Sequence, residues 1–292
     1  MTEPRSAAIF VNEGAGSARS GRVRRTIELV RAALDADLHV TATRSPSELA
    51  GWLAERVTPY TTVVIAGGDG SLGIAYNVLE GRDVAIGYIP AGFGNATAHL
   101  LRLPRRPEEL AAVVSGATTR AVDLVRIDGR LALFAGAGWD AVVAGRYASA
   151  GAHRLRGWAT AVVGSMSELI RRHLVRVEAE GRTLHEGPME LLVASTTPYY
   201  GRGLRVNPGA RPDSGRITLR VYPGPIPLLA AEAVRWAVGA TPSARPAHVT
   251  SAIVTALDGR PLPVQADGDL IGERDVWRLE VAPAAARLIG RW

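Results

Sequence analysis

Between Thr61 and Leu79 the chain reads TTVVIAGGDGSLGIAYNVL: an apolar strand, the turn Gly67-Gly68-Asp69-Gly70-Ser71, then a helix. From Asp83 to Leu101 it repeats the plan as DVAIGYIPAGFGNATAHLL, with Gly92-Phe93-Gly94-Asn95 at the turn. Glycines let backbone N–H groups approach a ligand closely, and the start of the following helix favours negative charge. Such turns lie at the carboxyl ends of strands, where open α/β sheets bind their ligands. The chemistry indicated is phosphate binding. A carboxylate at the same place, Asp69, points to a metal or a general base beside the phosphate. The loop from Asn12 through Gly14 and Gly16 to Ser17 follows the first apolar strand in the same manner, and reads equally as a plain loop. Thr43 ends the second strand, where it either reaches a nucleotide or is an ordinary strand-end threonine.

Two further carboxylates occur in the second half, beside turn residues. Asp269 belongs to Asp267-Gly268-Asp269, which reads either as a turn closing a hairpin between PVQA and VWRLEVA or as a site for a catalytic acid. Asp213, in NPGARPDSGRITLRV, carries the same two readings. A carboxylate brought from a second domain is a usual way to place a base opposite a phosphoryl donor.

What is missing narrows the chemistry. All 34 basic residues are arginine, so a Walker-A lysine, a protein-kinase strand lysine and Schiff-base catalysis are excluded. There is no cysteine, which removes disulfides, zinc–thiolate sites and thiol nucleophiles. The six histidines show no HxxH or HxxxH spacing, which argues against a metal cage of imidazoles. The net charge of +6 suits polyanions such as nucleotides or an acidic membrane surface. Nucleic acid is not expected, because the arginines are scattered and aromatics are only 5% of the chain. The first residues read as a strand and not as a signal peptide, and no apolar stretch is long enough to span a bilayer. A cytoplasmic protein, at most peripheral to a membrane, is expected.

The elements that must position these residues follow two grammars. Up to Ser115, apolar strands alternate with helices, and Ser45, Pro46 and Glu48 form a helix-start signal. Alternation of this kind predicts a doubly wound, parallel, Rossmann-like α/β domain. From Thr119 onward, AVDLVRI and RLALFAG flank Asp128-Gly129, a two-residue hairpin signal. A helical segment is expected over Asp140–His173, then short strands of period two, with Pro225–Ala240 as a helical or loop insertion. That pattern predicts an antiparallel β-sandwich. The expected division is 1–126 for the nucleotide domain, 127–282 for the sandwich, and 283–292 as a tail returning to the first domain.

These pieces together resemble the diacylglycerol kinase-like lipid kinases, a family that includes sphingosine and ceramide kinases. The matching segments run nearly end to end: Asn12–Gly16, Thr43, GGDGS for the family's GGDGT, PAGFGN for its P-x-G-T-x-N, AVDLVRIDG with FAGAGWDA, NPGARPDSGRITLRVY, and VQADGD followed by LEVAPAAARLI. The GGDG turn also occurs in NAD kinases and, more loosely, in phosphofructokinases. The resemblance implies transfer of the ATP γ-phosphoryl group to a lipid hydroxyl with Mg²⁺. It implies ATP phosphates on Gly67, Gly68, Asp69, Gly70 and Ser71 and on Gly92, Gly94 and Asn95, with Asn12 and Thr43 nearby. The general base falls on Asp269 and a metal aspartate on Asp213. Four positions depart from the family pattern: Phe93 for a threonine, Ala96 for an aspartate, His99 for an arginine, and Asp269 for a glutamate one methylene longer. In PDSG the acid also stands one place ahead of the family's D-G.

The expected protein is therefore an ATP- and Mg²⁺-dependent lipid kinase of the diacylglycerol kinase type, peripheral to the inner membrane surface, with a homodimer as an admissible assembly. The segment Arg146–Arg176, with Tyr147, Leu155 and Trp158, reads either as a dock for anionic lipid or as a solvated helix. Two rival readings remain open: a soluble-acceptor kinase of the NAD-kinase type, and a non-catalytic binder of nucleotide or lipid.

Overall fold

A computed structural model describes residues 6–43, 45–116, 118–149, 160–161, 164–165 and 172–292. Two units emerge: one of Met1–Val122 with Ala284–Trp292, the other of Asp123–Pro283.

In the first unit, the alternation of apolar and amphipathic segments becomes β1 Ala7–Asn12, α1 Gly21–Leu34, β2 Asp37–Thr41, α2 Pro46–Ala54, β3 Thr62–Gly67, α3 Asp69–Val78, β4 Ala85–Pro90, α4 Ala96–Leu100 and α5 Pro107–Val114. The strands are parallel in the order β2-β1-β3-β4. The end of the last strand of the chain adds Arg287 and Leu288 beside Ala85 and Ile86. The central strands are buried along their length, as expected of a sheet covered on both faces. On one face, α1 and α5 bring Val23, Ile27, Val30, Leu110 and Val114 onto Ile9, Val11, Val64 and Ile89. Leu49 and Leu53 of α2 and Leu72 and Tyr76 of α3 are also buried. Because β1 lies between β2 and β3, the order of connection reverses between β1 and β3. That switch point is where such sheets hold their ligands.

In the second unit, β5 Thr119–Ile127 turns at Asp128-Gly129 into β6 Arg130–Ala132. Both turn residues have positive φ, 44° and 87°, the type I′ geometry that Asp-Gly favours. One sheet contains β8 His173–Ala179, β9 Arg182–Met189, β13 Ser251–Ala256 and β16 Val276–Ile289. The other runs β12 Ala247–Val249, β11 Ile217–Tyr222, β10 Leu191–Ser195, β7 Phe134–Gly138, β14 Leu262–Ala266 and β15 Asp269–Arg274. All of these pairings are antiparallel, and Val175, Val177, Val254, Trp277 and Leu279 meet Leu192, Ala194, Leu219 and Val264 in one core. The α/β-plus-sandwich fold class expected from the sequence is the one observed.

Three local expectations need correction. His173 starts β8 rather than ending a helix; the described helix is α6, Trp139–Ser149, and positions 150–159 lie outside the described residues. The hairpin after PVQA closes onto Asp269–Arg274, not onto VWRLEVA, because Asp267-Gly268 is itself a complete two-residue turn with φ of 50° and 89°. Thr43 lies two residues beyond the end of β2, in the loop that enters α2. Pro225–Ala240 resolves as a helix, α7, Ile226–Val238.

Candidate active site

The two glycine turns of the first unit touch backbone to backbone. A Cβ added to Gly92 would come within 2.5 Å of the Gly68 Cα, and one added to Gly67 within 2.7 Å of Ser71 Cβ. A side chain at Gly92 would push the turns apart, and one at Gly67 would displace Ser71 within the first turn. Ala91 N–H donates to the Gly67 carbonyl at 2.7 Å, which joins the same two segments again.

Asp69 completes the connection. It is the first residue of α3, and its Oδ2 accepts the Ala96 N–H at 2.8 Å while Oδ1 accepts the Thr97 N–H at 3.1 Å. Both amides open α4, so the carboxylate of the first turn caps the helix of the second. Burial pushes the Asp69 carboxyl above its ordinary range, and the Thr97 and Ala96 amides pull against that.

The other polar residues of this unit are engaged in the same way. Asn95 adopts a left-handed conformation, φ 46°, and its Oδ1 accepts the Gly92 N–H at 3.0 Å and the Tyr88 hydroxyl at 2.9 Å. Its Nδ2 donates to the Gly92 carbonyl at 2.7 Å. Asn12 donates from Nδ2 to Ser71 Oγ at 3.2 Å and accepts the Gly14 N–H at 2.9 Å, tying the ends of β1 and β3 together across the switch point. Gly14 is required here: its Cβ would stand 2.6 Å from the Thr43 carbonyl oxygen. Thr43 Oγ1 donates to Glu48 at 2.5 Å and accepts the Ser45 N–H at 3.0 Å. Ser45 Oγ in turn accepts the Glu48 N–H at 3.3 Å. The helix start therefore uses Thr43 as an extra member of its cap. Within α3, the amides of Gly70 and Ser71 belong to the first turn, which has no intrahelical acceptor. Side chains build the turns, and backbone amides are what they offer to an anion.

The second unit presents its carboxylates differently. Asp269 is the first residue of β15, partly exposed, with its Oδ2 3.7 Å from Arg130 Nη2. The turn before it is held from inside. Asp267 is buried and accepts the Leu133 N–H at 3.0 Å and the Phe134 N–H at 3.2 Å, and Gln265 Oε1 accepts the Gly268 N–H at 2.7 Å. Gln265 Nε2 also donates to Asp140 Oδ2 at 3.1 Å and to the Tyr200 hydroxyl, which donates to the same Asp140 oxygen. This cluster fits because residue 136 is glycine; a Cβ there would collide with Asp140 Oδ2. Burial pushes the Asp140 carboxyl up to about 6, and burial together with Asp140 pushes the Tyr200 phenol well above its ordinary value.

Asp213 lies in the loop before β11 and pairs with Arg211 at 3.5 Å. Buried Asp123 pins that loop: its N–H donates to the Pro212 carbonyl at 2.6 Å and its Oδ2 accepts the Gly215 N–H at 2.7 Å. Among the described residues no group of three or more His, Cys, Asp or Glu is arranged to hold a metal. Mg²⁺ keeps several waters and needs only one or two protein carboxylates besides phosphate oxygens, so Asp213 as a single carboxylate ligand is compatible with it. In the arginine-rich stretch, Leu155 and Trp158 lie outside the described residues, while Arg172 pairs with buried Glu190 at 2.9 Å and Arg176 with Glu186 at 2.8 Å. Sequence reasoning did not find Asp123, Asp140, Tyr200 or Gln265, and it read Asp267 as a turn residue without its bonds to Leu133 and Phe134. The glycine at 136, inside a strand, was the only local signal.

Comparison with known proteins finds similar chains. Residues 6–127 match the model of the diacylglycerol kinase catalytic domain. The resemblance to the diacylglycerol kinase-like lipid kinases holds. A diacylglycerol kinase of Mycobacterium tuberculosis is 30% identical over 169 residues, which are 54% of this chain and 53% of that protein. The chain thus spans about half the length of that relative. The protein named probable lipid kinase YegS-like of Stenotrophomonas maltophilia is 26% identical over 267 residues, 86% of each chain. In fold, the chain is similar to a diacylglycerol kinase from Bacillus anthracis, with a TM-score of 0.72 at 16% identity over 100% of this chain and 98% of that one. It is also similar to an NAD kinase from Archaeoglobus fulgidus in complex with ATP, with a TM-score of 0.55 at 17% identity over 97% and 92%.

Proposed function

We propose that this chain is an ATP-dependent lipid kinase that moves the γ-phosphoryl group of ATP to a hydroxyl of diacylglycerol or a related lipid. The observation that carries the reading is the pair of glycine turns in backbone contact beside the sheet's switch point, locked by Asp69. Such an arrangement favours a polyphosphate, and the fold likeness to an NAD kinase in complex with ATP supports ATP as the donor. The named lipid kinases among its relatives support a lipid acceptor.

In this reading the amides of Gly67, Gly68, Gly70, Ser71 and Gly94 receive the phosphates, while Gly92, whose N–H is held by Asn95, brings the second turn against the first. Asp69, Asn95 and Asn12 hold those amides in place, and Thr43 steadies the neighbouring loop. Asp269 takes the proton of the acceptor hydroxyl as its oxygen bonds to the γ-phosphorus and the bond to ADP breaks. Mg²⁺, with Asp213 as its protein ligand, would supply charge neutralisation on the phosphates. The chain works as a peripheral protein at the inner membrane surface, where its acceptor resides, and a homodimer is compatible with that role. Among the described residues no helix is long and apolar enough to cross a membrane.

A second reading, a kinase for a soluble acceptor, draws on the same likeness to the NAD kinase fold. Labelled ATP offered with diacylglycerol vesicles, with NAD, and alone separates the two. Label in the lipid is the expected result. Label in NAD would replace this reading with the second, and ATP binding without transfer to any acceptor would make the chain a binder.

A further inference from the structure

Helix α7 rests on the outer face of the six-stranded sheet, where Leu229 and Trp236 pack with Leu191, Val193, Val206 and Tyr222. Between them Glu232 is buried and accepts the Ser243 N–H at 3.1 Å. Positions 229, 232 and 236 fall on one stripe of a helix with 3.6 residues per turn. The opposite side of a helix that meets only water is normally polar. Here it consists of Ala230, Ala231, Val234 and Val238, with Ala237 at its edge, all exposed. Leu228, Val234 and Val238 are 58%, 62% and 73% exposed. The remaining charge of the helix, Arg235, sits at the border of this face and pairs with Glu232 at 3.6 Å.

The surrounding chain is strongly basic. From Tyr199 to Val249 it has seven arginines against two acids, Asp213 and Glu232, a net +5 where the whole chain carries +6. Arg202, Arg205 and Arg245 are exposed, and the Arg205 N–H donates to the Trp236 carbonyl at 3.1 Å, at the end of α7. An apolar helix face bordered by arginine fits an anionic lipid surface, with aliphatic side chains at the acyl boundary and guanidinium groups among the phosphates. A protein partner is the poorer fit, because among the described residues the centre of the face is valine and alanine, with no aromatic side chain to fill a pocket.

We propose that the outward face of α7, centred on Val234 and Val238, docks this chain on anionic bilayers. The proposal deepens the lipid-kinase reading and rests on it, since it names the surface by which such an enzyme would meet its acceptor.

The chain has no cysteine, so Val234→Cys creates a unique site for an environment-sensitive fluorophore. Its emission should shift to the blue with mixed phosphatidylcholine and phosphatidylglycerol vesicles, and the shift should shrink in high salt and with phosphatidylcholine alone. Sedimentation with the mixed vesicles should show the triple variant Leu228→Ser, Val234→Ser, Val238→Ser partitioning at least ~10-fold more weakly, because three apolar side chains no longer leave water. Its melting temperature should stay near that of the wild type. An unshifted label, equal partition of the wild type into neutral and mixed vesicles, or unchanged partition of the triple variant would overturn the proposal. So would a lipid-free dimer that the triple variant dissolves, since the face would then join two copies. Turnover does not enter these measurements. A chain bound through α7 but inactive on every lipid would refute the kinase reading alone, and an active chain indifferent to the triple substitution would refute the docking surface alone.

Discussion

Asp69 and Asp269 are both aspartates beside a glycine turn, yet their oxygens meet different partners. In the first unit each oxygen of Asp69 accepts a backbone N–H from the neighbouring turn, and Asn12 and Asn95 are likewise bonded to backbone, to a serine and to a tyrosine hydroxyl. In the second unit Asp269 is partly exposed and stands 3.7 Å from Arg130, while Asp267 and Gln265, just before it, take backbone bonds. The first region is a framework whose product is a set of oriented amides. The second is a framework that presents a side chain. Stability and phosphate binding should therefore be inseparable in the first region, and separable from chemistry in the second.

The largest expected effect tests that separation. If Asp269 removes the proton of the acceptor hydroxyl, Asp269→Ala should lower turnover by about 10²–10⁴-fold, the usual worth of a positioned general base. Melting temperature and ATP affinity should hardly change, because its side chain is partly exposed at the start of a strand and the glycine turns belong to the other unit. Asp269→Glu restores the acid and should retain turnover. A loss of stability in Asp269→Ala comparable to its loss of activity would erase the distinction between the two regions.

The mirror experiment is Asp69→Ala. It strands the Ala96 and Thr97 amides, at a cost of about 2–4 kcal/mol if both remain poorly solvated. ATP affinity, measured beside thermal unfolding, should fall with stability, since the second turn loses its tie to the first. Asp69→Asn keeps one acceptor and should lie between wild type and alanine. A stable Asp69→Ala chain that binds ATP normally would show that the turns need no carboxylate strut.

How much of this was legible in the sequence follows from the range of the interactions. The α/β alternation and the switch to period-two strands are local patterns, and they predicted the fold class. The glycine turns were visible for the same reason. Their internal bonding was less so: Asn95, a left-handed residue, directs its side-chain amide back onto its own turn, at Gly92. The anchors of the second unit join residues far apart in the chain, Asp267 to Leu133, Gln265 to Asp140, and Asp123 to Gly215. No spacing rule connects such pairs, and only Gly136, a glycine in a buried strand, hinted that side chains crowd there.

The smallest expected effect comes from that hidden cluster and is a pH dependence. Burial raises the Asp140 carboxyl to about 6, above the ordinary 3.8 that it regains on unfolding. Between these values the folded chain holds a proton that the unfolded chain releases, so lowering the pH stabilises the fold. The contribution is fully present below the unfolded value and is lost as pH rises through about 6. From pH 7 to pH 5 this linkage amounts to about 1 kcal/mol, a few degrees in melting temperature for a chain of this size. Other carboxyls titrate as well, so the measurement is the difference between wild type and Asp140→Asn, which is neutral at every pH. That difference should shift in favour of the wild type as pH falls from 7 to 5. Because Gln265 bonds both Asp140 and the Gly268 amide, the substitution also tests whether the cluster steadies Asp269: a parallel drop in turnover, without loss of ATP affinity, would place Asp140 among the positioning residues of the second region. A pH-independent difference would mean that the Asp140 carboxyl stays ionised despite its burial, with Tyr200 and Gln265 as donors sufficient to hold the charge.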